Sequence, residues 1–65
     1  MSMKLIRIKD VMGRTGLARS TIYKYMDEGT FPQQIKLTTR AVAWVESEVE
    51  IWIQDTIIRR NNEVV

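Results

Sequence analysis

The sequence predicts a mainly α fold: a small winged helix-turn-helix with element order ααββα around a single core. Three observations lead there. Two short amphipathic stretches are each closed by a glycine, Gly16 and Gly29, and are joined by a three-residue turn. Two stretches of period-two apolar patterning flank Thr38-Thr39-Arg40, and a capped segment with an apolar stripe follows them. The chain has 65 residues, room for one domain over residues 1–65 with its core in about residues 4–58. A domain this small buries only about 60% of the surface its unfolded chain exposes, so every element has to contribute to the core. A hydrophobic content of 45% is enough to build one.

The first helix is expected over residues 9–15, with Val11 and Met12 supplying apolar contacts beside Leu5 and Ile8. Asp10 in its first turn complements the positive end of the helix. Gly13 weakens the helix by about 1 kcal/mol relative to Ala, and Gly16 suits the left-handed position that commonly ends one. After Gly16-Leu17-Ala18, a second helix is expected over residues 19–28. Ile22, Tyr25 and Met26 form its buried face, with Ser20, Tyr23, Lys24 and Asp27 turned outward. Phe31-Pro32 cannot continue a helix. Strands follow at 34–37 and 41–44, where Ile35 and Leu37 alternate with Lys36, and Val42 and Trp44 alternate with Ala43. The larger apolar side chains are expected on one face. Two strands alone are marginal in water, so the hairpin must lean on the helices. The last helix is expected from Ser47, where Ser47-Glu48-Val49-Glu50 matches a capping box, to about Arg60. Its apolar stripe is Val49, Trp52, Ile53 and Ile57, and residues 61–65 read as a frayed tail.

Catalysis is poorly provided for. The chain has no His and no Cys, which removes the commonest general base, the commonest metal ligand and the thiol nucleophile. Ser2, Ser20 and Ser47 have no evident base to activate them. The expectation is a non-enzyme with no cofactor and no metal. No apolar run approaches the roughly 18 residues of a membrane span, and the first ten residues lack a signal peptide's apolar centre. Together with the absence of cysteine, this points to a soluble, cytoplasmic protein, nucleoid-associated if it binds DNA.

The net charge of +2 conceals a polarised chain. Residues 1–45 carry eight basic and three acidic side chains, a net +5, whereas residues 46–58 carry Glu46, Glu48, Glu50 and Asp55 and no base. Such a field orients a protein on a polyanion. In a helix-turn-helix the second helix enters the major groove of double-stranded DNA, with its N-terminal residues at base edges. Those positions hold Arg19, Ser20, Tyr23 and Lys24, with Thr21 nearer the buried boundary and suited to phosphate or to closing the turn. Arg pairs with the two acceptors of guanine, Ser meets several bases, and Tyr packs on sugar or a thymine methyl. Lys36 and the tip residues Thr38, Thr39 and Arg40 suit backbone or minor-groove contact. Tyr25, Trp44 and Trp52 read as core. Ile51 and Ile58, seven apart and off the main stripe, are either isolated surface apolar residues or a candidate seam for self-association or for a recombinase partner. Such a seam would make the chain a protein-interaction adaptor of the same fold that does not read DNA.

The ordered set of segments resembles the AlpA family of phage and genomic-island regulators. It comprises Leu5-Ile6-Arg7-Ile8-Lys9-Asp10-Val11, Thr15-Gly16-Leu17, Ser20-Thr21-Ile22-Tyr23, Gly29-Thr30-Phe31-Pro32, Lys36-Leu37, Arg40-Ala41-Val42-Ala43-Trp44, and Ser47-Glu48-Val49 to Trp52-Ile53. The likeness covers roughly residues 4–58 and implies a winged-helix DNA binder similar to MerR-type and excisionase-type proteins. It further implies regulation of an integrase gene, service as an excisionase, or both, in a prophage or genomic island. By the same resemblance, residues 19–24 and Arg40 face DNA. A single module this small rarely reaches high specificity alone, so paired or arrayed binding as a homo-oligomer on DNA is expected, with an integrase or recombinase as a further candidate partner. Two positions depart from the family pattern. Ala18 stands where a capping Ser is usual, which costs about 1 kcal/mol. Thr38-Thr39 stands where Gly or Pro is frequent, and a β-branched residue is strained there if the turn demands a positive φ.

Overall fold

The structure, a computed structural model, describes residues 3–63, so residues 64 and 65 of the expected tail and Met1-Ser2 of the expected domain lie outside it. The elements are β1 (Leu5–Ile6), α1 (Ile8–Thr15), α2 (Arg19–Asp27), β2 (Ile35–Thr38), β3 (Ala41–Val45) and α3 (Glu46–Glu63). The architecture is a winged helix-turn-helix with a small three-stranded antiparallel sheet in the order β1-β3-β2. No helix among the described residues is long and apolar enough to cross a membrane.

Both glycine stops form. Gly16 takes φ 74° and donates its N–H to the Met12 carbonyl at 2.8 Å. Gly29 takes φ 76°, with Gly29 N–H on the Met26 carbonyl and Thr30 N–H on the Tyr25 carbonyl. Those two bonds are the pair of a Schellman stop. Asp10 closes the start of α1 by accepting the Arg7 N–H at 3.3 Å, in addition to its favourable place in the helix field.

Four details differ from the sequence expectation, each for a local reason. Leu5–Ile6 forms a strand because β3 offers a free edge, pairing Leu5 with Val45 and Ile6 with Trp44. The hairpin register pairs Ile35 with Ala43 and Lys36 with Val42, with an irregularity between Lys36 and Thr38. Directly opposed residues share a sheet face, so Ile35 lies on the face opposite Val42 and Trp44. Ile35 and Leu37 are exposed, and β2 places no residue in the core. At the last helix, the capping box at Ser47 is superseded. β3 runs straight into α3, and the Glu46 N–H is taken by the Lys4 carbonyl beside β1 at 2.8 Å. Finally, α3 is helical through Asn61 to Glu63, and Ile57 lies beyond the core, at 45% exposure.

The core cluster is Ile6, Val11, Ile22, Phe31, Trp44 and Val49, drawn from β1, all three helices, β3 and the loop after α2. Trp44 is fully buried and donates Nε1–H to the Pro32 carbonyl at 3.2 Å. Trp52 packs edge-on to Phe31 with centroids 4.9 Å apart and donates to the Thr30 carbonyl at 2.7 Å. These two bonds tie the loop after α2 to the sheet and to α3, so α2 is held at its C-terminal end as well as along its buried face.

Candidate nucleic-acid interface

The orientation of α2 follows from its helical periodicity. Ile22 is fully buried, with Tyr25 and Met26 half-buried beside it against the core. A residue half a turn away from Ile22 must then point outward, and Ser20, Lys24 and Asp27 form that ridge, all exposed. Arg19, at the first position of the helix, is also exposed. Thr21 is half-buried on one flank of the ridge. Tyr23, expected to be turned outward, is half-buried on the other flank. Its ring meets Trp44 edge-on at 6.3 Å, because the sheet packs against that side of α2. Only part of Tyr23 is therefore left to face a partner.

On the wing, Lys36, Thr38, Thr39 and Arg40 are all exposed. The tip turns at Thr39-Arg40, and the Thr38 hydroxyl accepts the Arg40 N–H at 3.2 Å. Among the described residues only Gly16 and Gly29 have positive φ, so the threonines carry no backbone strain. The register irregularity beside Leu37 accounts for this, since an extra residue in one strand adds the twist that a glycine-rich tip would otherwise supply.

Charge pairing separates the basic residues into two groups. Arg14 bridges Glu46 at 2.7 Å and Glu50 at 3.4 Å, locking the end of α1 to the start of α3. These are the ion pairs among the described residues. Arg19 and Lys24 on α2, and Lys36 and Arg40 on the wing, thus carry charge with no carboxylate partner there. The acids of α3 are engaged with Arg14 or exposed on α3 itself. Among the described residues no group of His, Cys, Asp or Glu is arranged to hold a metal ion.

Ile51 and Ile58 are 55% and 54% exposed. Ile51 borders a shallow depression with Pro32 and Ile35, so the outward-turned apolar side chain of β2 adjoins Ile51 of α3. Sequence reasoning overlooked a second neighbour of α2. Arg59 and Arg60 line a depression together with Leu17 and Tyr25. In the sequence they register only as two charges near the end of an acidic helix.

Comparison with known proteins gives a consistent result. Residues 4–57 match the family described as prophage CP4-57 regulatory protein (AlpA). The chain is 42% identical over 57 residues to an uncharacterised protein, ORF88, of Enterobacteria phage P4, covering 88% of this chain and 65% of that one. It thus spans just under two thirds of that relative. It is 31% identical over 58 residues to the DNA-binding transcriptional activator AlpA of Escherichia coli (strain K12), covering 80% of this chain and 83% of the relative.

Proposed function

The chain belongs to the prophage CP4-57 regulatory protein (AlpA) family, and on that premise we propose that it is a sequence-specific DNA-binding regulator of a prophage or genomic island. It regulates transcription of an integrase gene, serves as an excisionase, or does both. In this reading the described chain acts as one module on double-stranded DNA. Arg19, Ser20 and Lys24, with the free part of Tyr23, read base edges, while Thr21, Lys36, Thr38, Thr39 and Arg40 engage the backbone. The carrying observation is the outward ridge of α2, with Lys24 on it and Arg19 at the start of the helix, neither of them in an ion pair with a carboxylate among the described residues.

The test is duplex affinity against salt concentration. With about four phosphate contacts, affinity falls on the order of a hundredfold between about 50 and 200 mM salt. A selected target duplex should also be preferred over a scrambled one. An affinity that is flat in salt removes the reading.

The exposure of Ile51 and Ile58 supports a second, protein-binding role: self-association on DNA, or contact with an integrase. One small module rarely reaches high specificity alone, so paired binding complements the DNA reading.

A further inference from the structure

We infer that Arg59 and Arg60 form a second phosphate grip, which holds the DNA backbone on the side of α2 opposite the wing. The inference rests on the DNA-binding reading and adds a surface that the reading does not contain.

The placement comes from the two flanks of α2. Tyr23 marks the flank turned to the sheet, through its contact with Trp44, and the sheet carries the wing. Thr21 and Tyr25, four residues apart on α2, mark the other flank. Leu17 and Tyr25 are the residues that share a depression with Arg59 and Arg60. The ridge of Ser20 and Lys24 therefore runs between the wing on one side and two guanidinium groups on the other. An α-helix with its side chains is about 10–12 Å across, and the major groove is about 12 Å wide. A helix lying in that groove fills it, so groups on its two flanks meet the two sugar-phosphate walls.

The length of α3 makes this reach possible. Its last fully buried residue is Val49, yet the helix continues to Glu63, roughly 20 Å further. Beyond Trp52 and Ile53, which pack against the core, that extension contributes no buried residue, and it brings Arg59 and Arg60 to the rim of the depression they share with Tyr25 of α2. Both guanidinium groups are steadied by neutral acceptors. Arg59 Nη2 donates to the Thr56 hydroxyl at 3.2 Å, and Arg60 Nε and Nη2 donate to Asn61 Oδ1 at 3.2 and 3.0 Å. Neutral acceptors restrict the side chain without cancelling its charge. Arg14 differs, because it is neutralised by Glu46 and Glu50. Glu63 lines the same depression but makes no ion pair with either arginine. An oriented guanidinium with free donors is suited to bidentate phosphate contact.

The experiment compares the wild-type chain, the double variant Arg59→Ala/Arg60→Ala and the double variant Arg59→Lys/Arg60→Lys. Each is titrated onto a mixed-sequence duplex by fluorescence anisotropy over a series of salt concentrations, with a thermal melt of each protein alongside. Each lost phosphate contact lowers the slope of log affinity against log salt by about 0.9, so the alanine variant should be shallower by about 1.8. The lysine variant, which keeps both charges, should recover most of that slope. A wild type that binds with a steep slope shared by the alanine variant overturns the grip and leaves the parent reading standing. A slope lost in both variants assigns the effect to packing and overturns it too. A wild type that does not bind the duplex removes both.

Discussion

Replacing Ala18 with Ser should stabilise the protein, and the structure sets the size of the gain. Ala18 is the N-cap of α2, with φ −71° and ψ 155°, and it offers no side-chain acceptor to the first turn. Its carbonyl already accepts the Ile22 N–H at 3.1 Å, so the backbone is in capping geometry before any substitution. A serine hydroxyl at that position reaches the backbone N–H of Ser20 or Thr21 without moving the chain. Ala18 is exposed, so the new side chain displaces nothing from the core. The gain from such a cap is about 1 kcal/mol. In a domain of this length that corresponds to a rise in Tm of about 4–8 °C. A far-UV circular dichroism melt measures it, and a urea titration should show a higher midpoint with an unchanged slope. A Tm equal to or below that of the wild type would refute the assignment of Ala18 as an unfilled cap.

Gly13 and Gly16 should respond to alanine with opposite signs, although neither has an atom within 4 Å of an added Cβ. Gly13→Ala, inside α1, should raise stability by about 1 kcal/mol, and Gly16→Ala, at φ 74°, should lower it by about 1–2 kcal/mol. Paired urea melts that shift in the same direction would contradict this. Arg19→Ala should cost about 1–3 kcal/mol on the preferred duplex and little on a scrambled one, whereas Lys36→Ala should weaken both alike; gel shifts on the two duplexes distinguish the outcomes. If Ile51 and Ile58 form an association seam, sedimentation should show dimers at high concentration that Ile58→Glu abolishes, and a wild-type monomer at every concentration would count against the seam.

The helices were legible because their signals are local. A glycine that needs a left-handed φ ends a helix whatever surrounds it, and both Gly16 and Gly29 do so. The buried faces of α1 and α2 were likewise written in apolar spacing around Val11 and Ile22. The sheet was less legible because its decisions are made across strands. Leu5–Ile6 is too short to show alternation and becomes a strand only against Val45 and Trp44. The face taken by Ile35 depends on an irregularity near Leu37 that no periodicity announces. Ser47 carried a valid capping pattern, but the chain had no loop there for a cap to close, since the Lys4 carbonyl took the first N–H. At the candidate interface, the exposure of Ser20 and Lys24 followed from the burial of Ile22 half a turn away, and that of Arg19 from its place at the first position of the helix. The inward lean of Tyr23 and the approach of Arg59 and Arg60 to Leu17 depend on tertiary packing.

In the proposed function, the outward ridge of α2 and the tip of the wing form one surface that receives DNA. The most direct test is a titration of the isotope-labelled chain with its preferred duplex, followed by amide chemical shifts. The largest changes should fall on residues 19–24 and 36–40, with small changes at Glu46, Glu48 and Glu50 at the acidic start of α3. Changes centred on those glutamates, with the α2 ridge undisturbed, would contradict it.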